Sequence, residues 1–187
     1  MESAISADII TLGESRVHET EKKIPFLKNR ESIEIHMIGH LQSNKVKKAV
    51  GLYDVIQTVD SIKLAKKISS IAREKGRTQR IYLQVNTGDD PLKYGFSKKE
   101  IILASLEIAQ MSNLKIEGIM MIPPYIEIDT EYRSIYSQTR ELRDQIIAEG
   151  VLSCTSLSMG MSRDFELAIE EGATHVRIGT ALFGTRI

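Results

Sequence analysis

The feature that most limits what this chain can fold into is an alternation. Seven short β-branched or apolar runs recur along it: DIITL from Asp8, IEIHMI from Ile33, YDVIQTV from Tyr53, RIYLQVN from Arg80, KIEGIMMI from Lys115, SLSMGM from Ser156 to Met161, and HVRI from His175. Each reads as a strand, and longer stretches of helical periodicity lie between them. Ser97 to Met111 places Ile101, Ile102, Ala104, Leu106, Ile108 and Ala109 at helical spacing behind a Ser97-x-x-Glu100 capping box. Thr130 to Glu149 sets Tyr132, Ile135, Tyr136, Thr139, Leu142 and Ile146 on one face. Strict alternation of this kind predicts an α/β fold with parallel strands and right-handed crossovers.

An open doubly wound sheet and a closed (β/α)8 barrel both satisfy that pattern. The first would place a glycine-rich phosphate turn after its opening strand, and no G-x-G-x-x-G or G-x-x-x-x-G-K run occurs. A (β/α)8 barrel of the TIM type is therefore expected. Its functional residues would sit where strands end, at Gly13-Glu14, Gly39-His40, Asp60, Asn86, Pro123-Pro124, Ser162 and Gly179-Thr180. About seven strand-helix units are visible where such a barrel needs eight, so one unit is expected to be missing.

Composition narrows the function classes. With 187 residues, 42% of them hydrophobic and no linker-like tract, residues 1–187 are expected to form a single domain. Basic and acidic side chains balance at 25 each, leaving no field to gather nucleic acid or an anionic membrane. The Lys45, Lys47, Lys48 cluster lacks interleaved aromatics and reads as a solvated helix face. Cys154 is the sole cysteine, which predicts a small buried hydrophobe in a reducing, cytoplasmic setting. No apolar run is long enough for a membrane span. The four histidines lack companions at ligand spacing, so no metal site is expected, and His36, sharing a strand face with Glu34 and Ile38, reads as a core histidine.

Two helix starts near the C-terminus carry the sharper expectation. Ser162 stands just before DFELAIEEG, and Gly179-Thr180 just before ALFG, with Arg177 between them. In barrels of this type phosphate binds at the loops after the last two strands, where free N–H groups and the helix dipole face the anion. Ordinary N-caps at Ser162 and Thr180, and a salt-bridge role for Arg177, would explain the same residues without a ligand.

Beyond this local reading, GESRVHE, HMIGHLQSNKVKK, QVNTGDDPLKYGF, GIMMIPP and LSMGMSRDFELAIEEGATHVRIGTALFG together closely resemble the pyridoxal 5'-phosphate (PLP) homeostasis proteins, from about residue 8 to the end. The resemblance implies a single-domain PLP-binding barrel similar to the N-terminal domain of alanine racemase. It implies that the cofactor phosphate is gripped by Ser158, Met159, Gly160, Met161 and Ser162 and by Gly179 and Thr180, and that Arg177 faces the pyridine nitrogen. An arginine there only donates hydrogen bonds and leaves the ring a weak electron sink, which suits a carrier more than a broad catalyst. The implied function is intracellular PLP homeostasis without clear turnover, with PLP-dependent apo-enzymes as possible recipients. A racemase-like PLP enzyme, or a degenerate barrel that takes only phosphate-bearing ligands, is the alternative.

The chain departs from the family pattern at its start. Family members hold PLP as a Schiff base on a lysine at the end of the first strand, and that lysine is expected upstream of Met1. A start placed too far downstream, a degenerate protein, or a variant that binds PLP without covalent linkage would each account for this. The family barrel is expected to be a monomer, and loss of a strand predicts a dimer, strand swap or aggregation here. Lys93 and, less so, Lys45 are the candidates for substitute linkage. Ser15 stands where the family has an asparagine near the ring, and it is left out of the site.

Overall fold

The computed structural model describes residues 2–28 and 30–184. A one-turn helix α1 (Glu2–Ile5) precedes seven strand-helix units: β1 (Thr11–Glu14) and α2 (Val17–Lys23), β2 (Glu34–Met37) and α3 (Val46–Leu52), β3 (Val55–Val59) and α4 (Ile62–Glu74), β4 (Gln79–Gln84) and α5 (Ile101–Ala109), β5 (Leu114–Met120) and α6 (Asp129–Ala148), β6 (Ser156–Met161) and α7 (Phe165–Glu170), β7 (His175–Arg177) and α8 (Thr180–Phe183). The strands form one parallel sheet in sequential order, β1 to β7, which curls into a nearly closed barrel with the helices outside. Among the described residues β1 and β7 have no strand partner beyond β2 and β6, so they are its two edges.

Local chemistry explains the elements. Ser61 caps α4, its hydroxyl accepting from Leu64 N at 3.3 Å, and Leu64, Ala65, Ile68 and Ala72 form the buried face that holds the helix on the sheet. The expected capping box is present: Ser97 N donates to Glu100 Oε2, and Glu100 N donates to Ser97 Oγ. The helix that follows is shorter than the periodic stretch, Ile101–Ala109, because Ser97 to Glu100 are spent on that turn. On α6 the buried side chains are Tyr136, Thr139, Leu142 and Ile146, the face read from the sequence.

One strand is displaced from its expected position. DIITL from Asp8 reads as a strand, but Asp8 sits in the left-handed region at φ +59 and Ile10 is exposed. The chain still turns after α1 there, and the first bond to the next strand is Glu34 N to Ile10 O at 2.8 Å, so β1 begins only at Thr11. The last strand is shorter than HVRI by one residue.

The sheet has two differently filled faces. Its outer face and the helices enclose a continuous apolar core that includes Ile35, Ile56, Ile81, Leu83, Ile119, Leu157, Met159 and Cys154. Burial pushes the Cys154 thiol up to about 12, so it packs as a hydrophobe and stays protonated. Among the described residues the inner face holds only a small apolar group, Val55, Tyr82 and Met120 with Ile122 against it. The rest of the lumen is polar. Arg80 pairs with Glu34 and with Glu117, the latter at 2.8 Å, and Lys115 pairs with Glu117 at 3.0 Å. His36, 2% exposed, bonds Glu34 and Gln57, which makes it the satisfied interior histidine expected.

Candidate functional site

Strands β6 and β7 deliver the site. Along β6, Leu157 and Met159 face the helices while Ser158 turns inward, 1% exposed, and its hydroxyl donates to Gln57 Oε1 at 2.7 Å. Met159 therefore offers a ligand no side chain: the thioether is fully buried in the outer core. Gly160 must be glycine on two counts. Its φ is +88, and a Cβ there would meet the Ala168 methyl at 2.5 Å. The conformation it permits leads the chain through Met161, the last residue of β6, into the loop that carries Ser162 and Asp164.

Asp164 fixes that loop. Its carboxylate accepts from Met161 N at 2.6 Å and from the Tyr136 hydroxyl at 2.7 Å, and it holds the N-cap position of α7. Burial first, then the hydrogen bond to Asp164, raises the Tyr136 phenol far above its ordinary value, so it remains a donor.

Ser162, read from the sequence as the opening of the DFELAIEEG helix, does something else. Its hydroxyl oxygen accepts from Gly179 N at 3.2 Å and from Ala181 N at 3.3 Å, the first free N–H groups of α8. The loops after β6 and β7 are thereby joined around one oxygen. A Cβ on Gly179 would meet no protein atom within 4 Å, so backbone donors and open space lie side by side. Because α8 is a single turn, its summed dipole is small, and what it offers an anion is these individual N–H groups. Thr180 is exposed, and its carbonyl accepts from Gly184 N at 3.0 Å.

Arg177, at the end of β7, is half-buried and tied on two sides. Its Nη1 donates to Ser158 Oγ at 2.7 Å and its Nη2 to the Met121 carbonyl at 2.6 Å. Burial lowers the guanidinium to about 10, which still leaves it charged at neutral pH. No carboxylate salt bridge to it is present among the described residues, and its partners are neutral acceptors. The expected residues thus gather in two sets, Ser158 with Arg177 and Ser162 with Gly179, with Gly160 and Met161 connecting them along β6.

The candidate lysines lie elsewhere. Lys93 is exposed on the loop between β4 and α5, and Lys45 is exposed where α3 begins, with neighbouring Lys48 paired to Glu21 at 2.7 Å. Around the same rim His40 stacks on Tyr94, ring centroids 3.7 Å apart, and its Nδ1 is 3.3 Å from Asp60 Oδ2. Among the described residues no group of three or more His, Cys, Asp or Glu could hold a metal, and no helix is long and apolar enough to cross a membrane.

Sequence reading missed Gln57, Ala181, Tyr136, Asp164 and the Met121 carbonyl. One of them carried a signal. Gln57 interrupts the apolar run YDVIQTV on the face it shares with Val55, and a polar side chain inside a strand buried along its whole length marks a partner across the lumen.

The residues fit the phosphate of a group such as PLP: paired N–H donors lie beside open space for an oxyanion, with a fixed cation on the adjoining strand end. Comparison with known proteins gives the family. The chain is 44% identical over 177 residues to a pyridoxal phosphate homeostasis protein of Aquifex aeolicus, covering 93% of this chain and 76% of that one. It is 37% identical over 187 residues to the protein of that name from Synechocystis, covering 100% and 86%. Among solved structures, PipY of Synechococcus elongatus with PLP bound superposes with a TM-score of 0.89 at 35% identity, over 98% of this chain and 85% of that one. An alanine racemase of Clostridium difficile shares the fold, with a TM-score of 0.80 at 17% identity over 99% of this chain and 47% of that one. A family model described as "Alanine racemase, N-terminal domain" matches residues 2–187. The chain belongs to this alanine racemase N-terminal domain family and, within it, to the pyridoxal phosphate homeostasis proteins.

Proposed function

We propose that this chain binds pyridoxal 5'-phosphate at the mouth of the barrel and serves as a carrier or buffer of the cofactor. The observation that carries this reading is the convergence of Gly179 N and Ala181 N on Ser162 Oγ, two residues beyond Arg177. Phosphate oxygens are stronger acceptors than a hydroxyl, so a phosphate can recruit these donors while Ser162 turns to donate its own proton. Ser158, Gly160, Met161 and Thr180 complete the loop pair, and Arg177 is the group that meets the pyridine nitrogen.

When bound, PLP supplies an aldehyde that reacts with amines and a ring that accepts electrons. The residues here restrain the second property. Arg177 is a permanent donor and cannot give the ring nitrogen a full proton as a carboxylic acid would. Storage and release suit such a site better than amino-acid turnover, which supports a non-catalytic role. Recipient apo-enzymes are the corresponding partners. A single buried cysteine is in keeping with work in a reducing, cytoplasmic setting. Residues 1–187 act in this reading as one domain, and the two sheet edges are the surfaces through which a dimer or strand swap would form.

Intact mass and absorbance after incubation with PLP, with and without borohydride, test the proposal. The expected result is saturable binding that Arg177→Ala weakens about tenfold or more, the loss of a charge-assisted bond. A reduced single adduct on Lys93 or Lys45 would identify a substitute linkage. Binding competed fully by inorganic phosphate, without change in the PLP spectrum, would replace the proposal with a phosphate-only site. Absence of binding would overturn it.

A further inference from the structure

Arg177 is one end of a chain of side chains that crosses the lumen. Its Nη1 donates to Ser158 Oγ at 2.7 Å, Ser158 Oγ bonds Gln57 Oε1 at 2.7 Å, Gln57 Nε2 lies 2.8 Å from His36 Nδ1, and His36 Nε2 lies 3.1 Å from Glu34 Oε2. Arg80 pairs with the other oxygen of Glu34.

Chemistry gives this chain one direction. Burial alone would raise the Glu34 carboxyl, but hydrogen bonds from Arg80 and His36 outweigh it and hold Glu34 below its ordinary value, so it is an acceptor. Facing a carboxylate, His36 Nε2 must carry a proton. Burial holds the imidazole below its ordinary value against the pull of Glu34, so at neutral pH it carries only that proton and Nδ1 accepts. Gln57 must then present its amide N–H to His36 and its carbonyl to Ser158. The Ser158 proton is thereby committed to Gln57, and its oxygen is left as an acceptor for Arg177.

We propose that Gln57 and His36 are positioning residues for Arg177: the relay from Glu34 through His36 and Gln57 to Ser158 sets the hydroxyl as an acceptor and holds the guanidinium in one donor pattern toward the ligand. Where the mouth binds PLP, as proposed above, this makes ligand affinity depend on residues in the barrel lumen. The groups facing His36 are Glu34 on its own strand, Asp54 ahead of β3, Arg80 on β4 and His175 on β7, whose ring centroid is 6.1 Å away. Glu34 and Arg80 hold each other as a charged pair, and His175, which burial also keeps below its ordinary value, bonds Thr174 outside the relay, so His36 is the titrating link within it. Its protonation would set a second N–H against the Gln57 amide and break the direction of the chain.

Gln57→Leu tests this by removing both links at nearly constant volume. At about pH 8 the variant should bind PLP about tenfold more weakly than wild type, the cost of one misdirected charged donor. As pH falls through the His36 titration, below its ordinary 6.5, that ratio should shrink, because wild type loses the same relay. Comparing the two proteins cancels the titration of PLP itself. Equal affinities at about pH 8, or a ratio that does not change with pH, would overturn the proposal. Long-range 15N–1H correlation on wild type without ligand reads the relay directly, whatever the variant's folding: a proton on His36 Nε2 and a bare Nδ1 are required, and the opposite tautomer refutes it. If wild type binds no PLP, the reading of the mouth fails while the tautomer still decides the relay.

Discussion

The two faces of the barrel sheet follow different rules. Outside, Ile35, Ile56, Ile81, Ile119 and Leu157 meet the helices in a continuous apolar core, where each fully buried aliphatic side chain contributes on the order of 2 kcal/mol and neighbours are nearly interchangeable in chemistry. Inside, Glu34, His36, Gln57, Ser158 and Arg177 are joined by hydrogen bonds in which each partner fixes the next. Stability therefore resides in the outer shell and specificity in the lumen. A substitution should move one quantity and spare the other according to the face it occupies.

Ile81→Ala, on the outer face and fully buried, should be the most damaging to folding. The cavity and lost transfer energy predict a loss of about 3 kcal/mol in denaturant titrations, with PLP affinity of the folded fraction unchanged. A matching loss of affinity would show that the faces are not separable.

Tyr136→Phe probes the seam between them. Its hydroxyl reaches Asp164 at 2.7 Å, and removing it leaves a buried carboxylate one donor short. A cost of about 2 kcal/mol in stability is expected. Phosphate affinity should fall with it, because Asp164 also holds Met161 N and so shapes the Ser162 loop. Loss of stability without loss of affinity would place Asp164 with the shell alone.

The pH response should be milder and belong to the lumen. His36 and His175 are both held below 6.5 by burial, so the unfolded chain takes up protons first as pH falls. Stability should be complete above about 6.5 and decline as pH drops toward the folded values. His36→Gln should flatten part of that decline in chemical denaturation at several pH values; an unchanged slope would remove His36 from the account.

These differences also decide what a sequence reveals. Outer-face strands and helices were legible because apolar periodicity is local: Tyr136, Thr139, Leu142 and Ile146 advertise their face within one helix. Small residues at strand ends drew attention to the loops after β6 and β7, which the fold brings side by side. Lumen contacts were not, since Ser158 and Gln57 meet across 101 residues of chain and nothing local pairs them. Ser162 reads locally as the opening of α7, whereas its hydroxyl accepts from the N–H groups of the following unit, a partnership across 17 and 19 residues that no local pattern shows. Met159 sat inside a motif whose alternation already pointed it outward. The start of β1 was misplaced because Ile9 and Ile10 are apolar without being buried in a strand.

Equilibrium dialysis of PLP against wild type, Arg177→Ala and Ile81→Ala, each with its denaturation midpoint, tests the division most directly. The account predicts that Arg177→Ala loses about tenfold or more in affinity while melting near wild type, and that Ile81→Ala melts early yet binds as wild type when folded. Wild-type affinity in Arg177→Ala would contradict it.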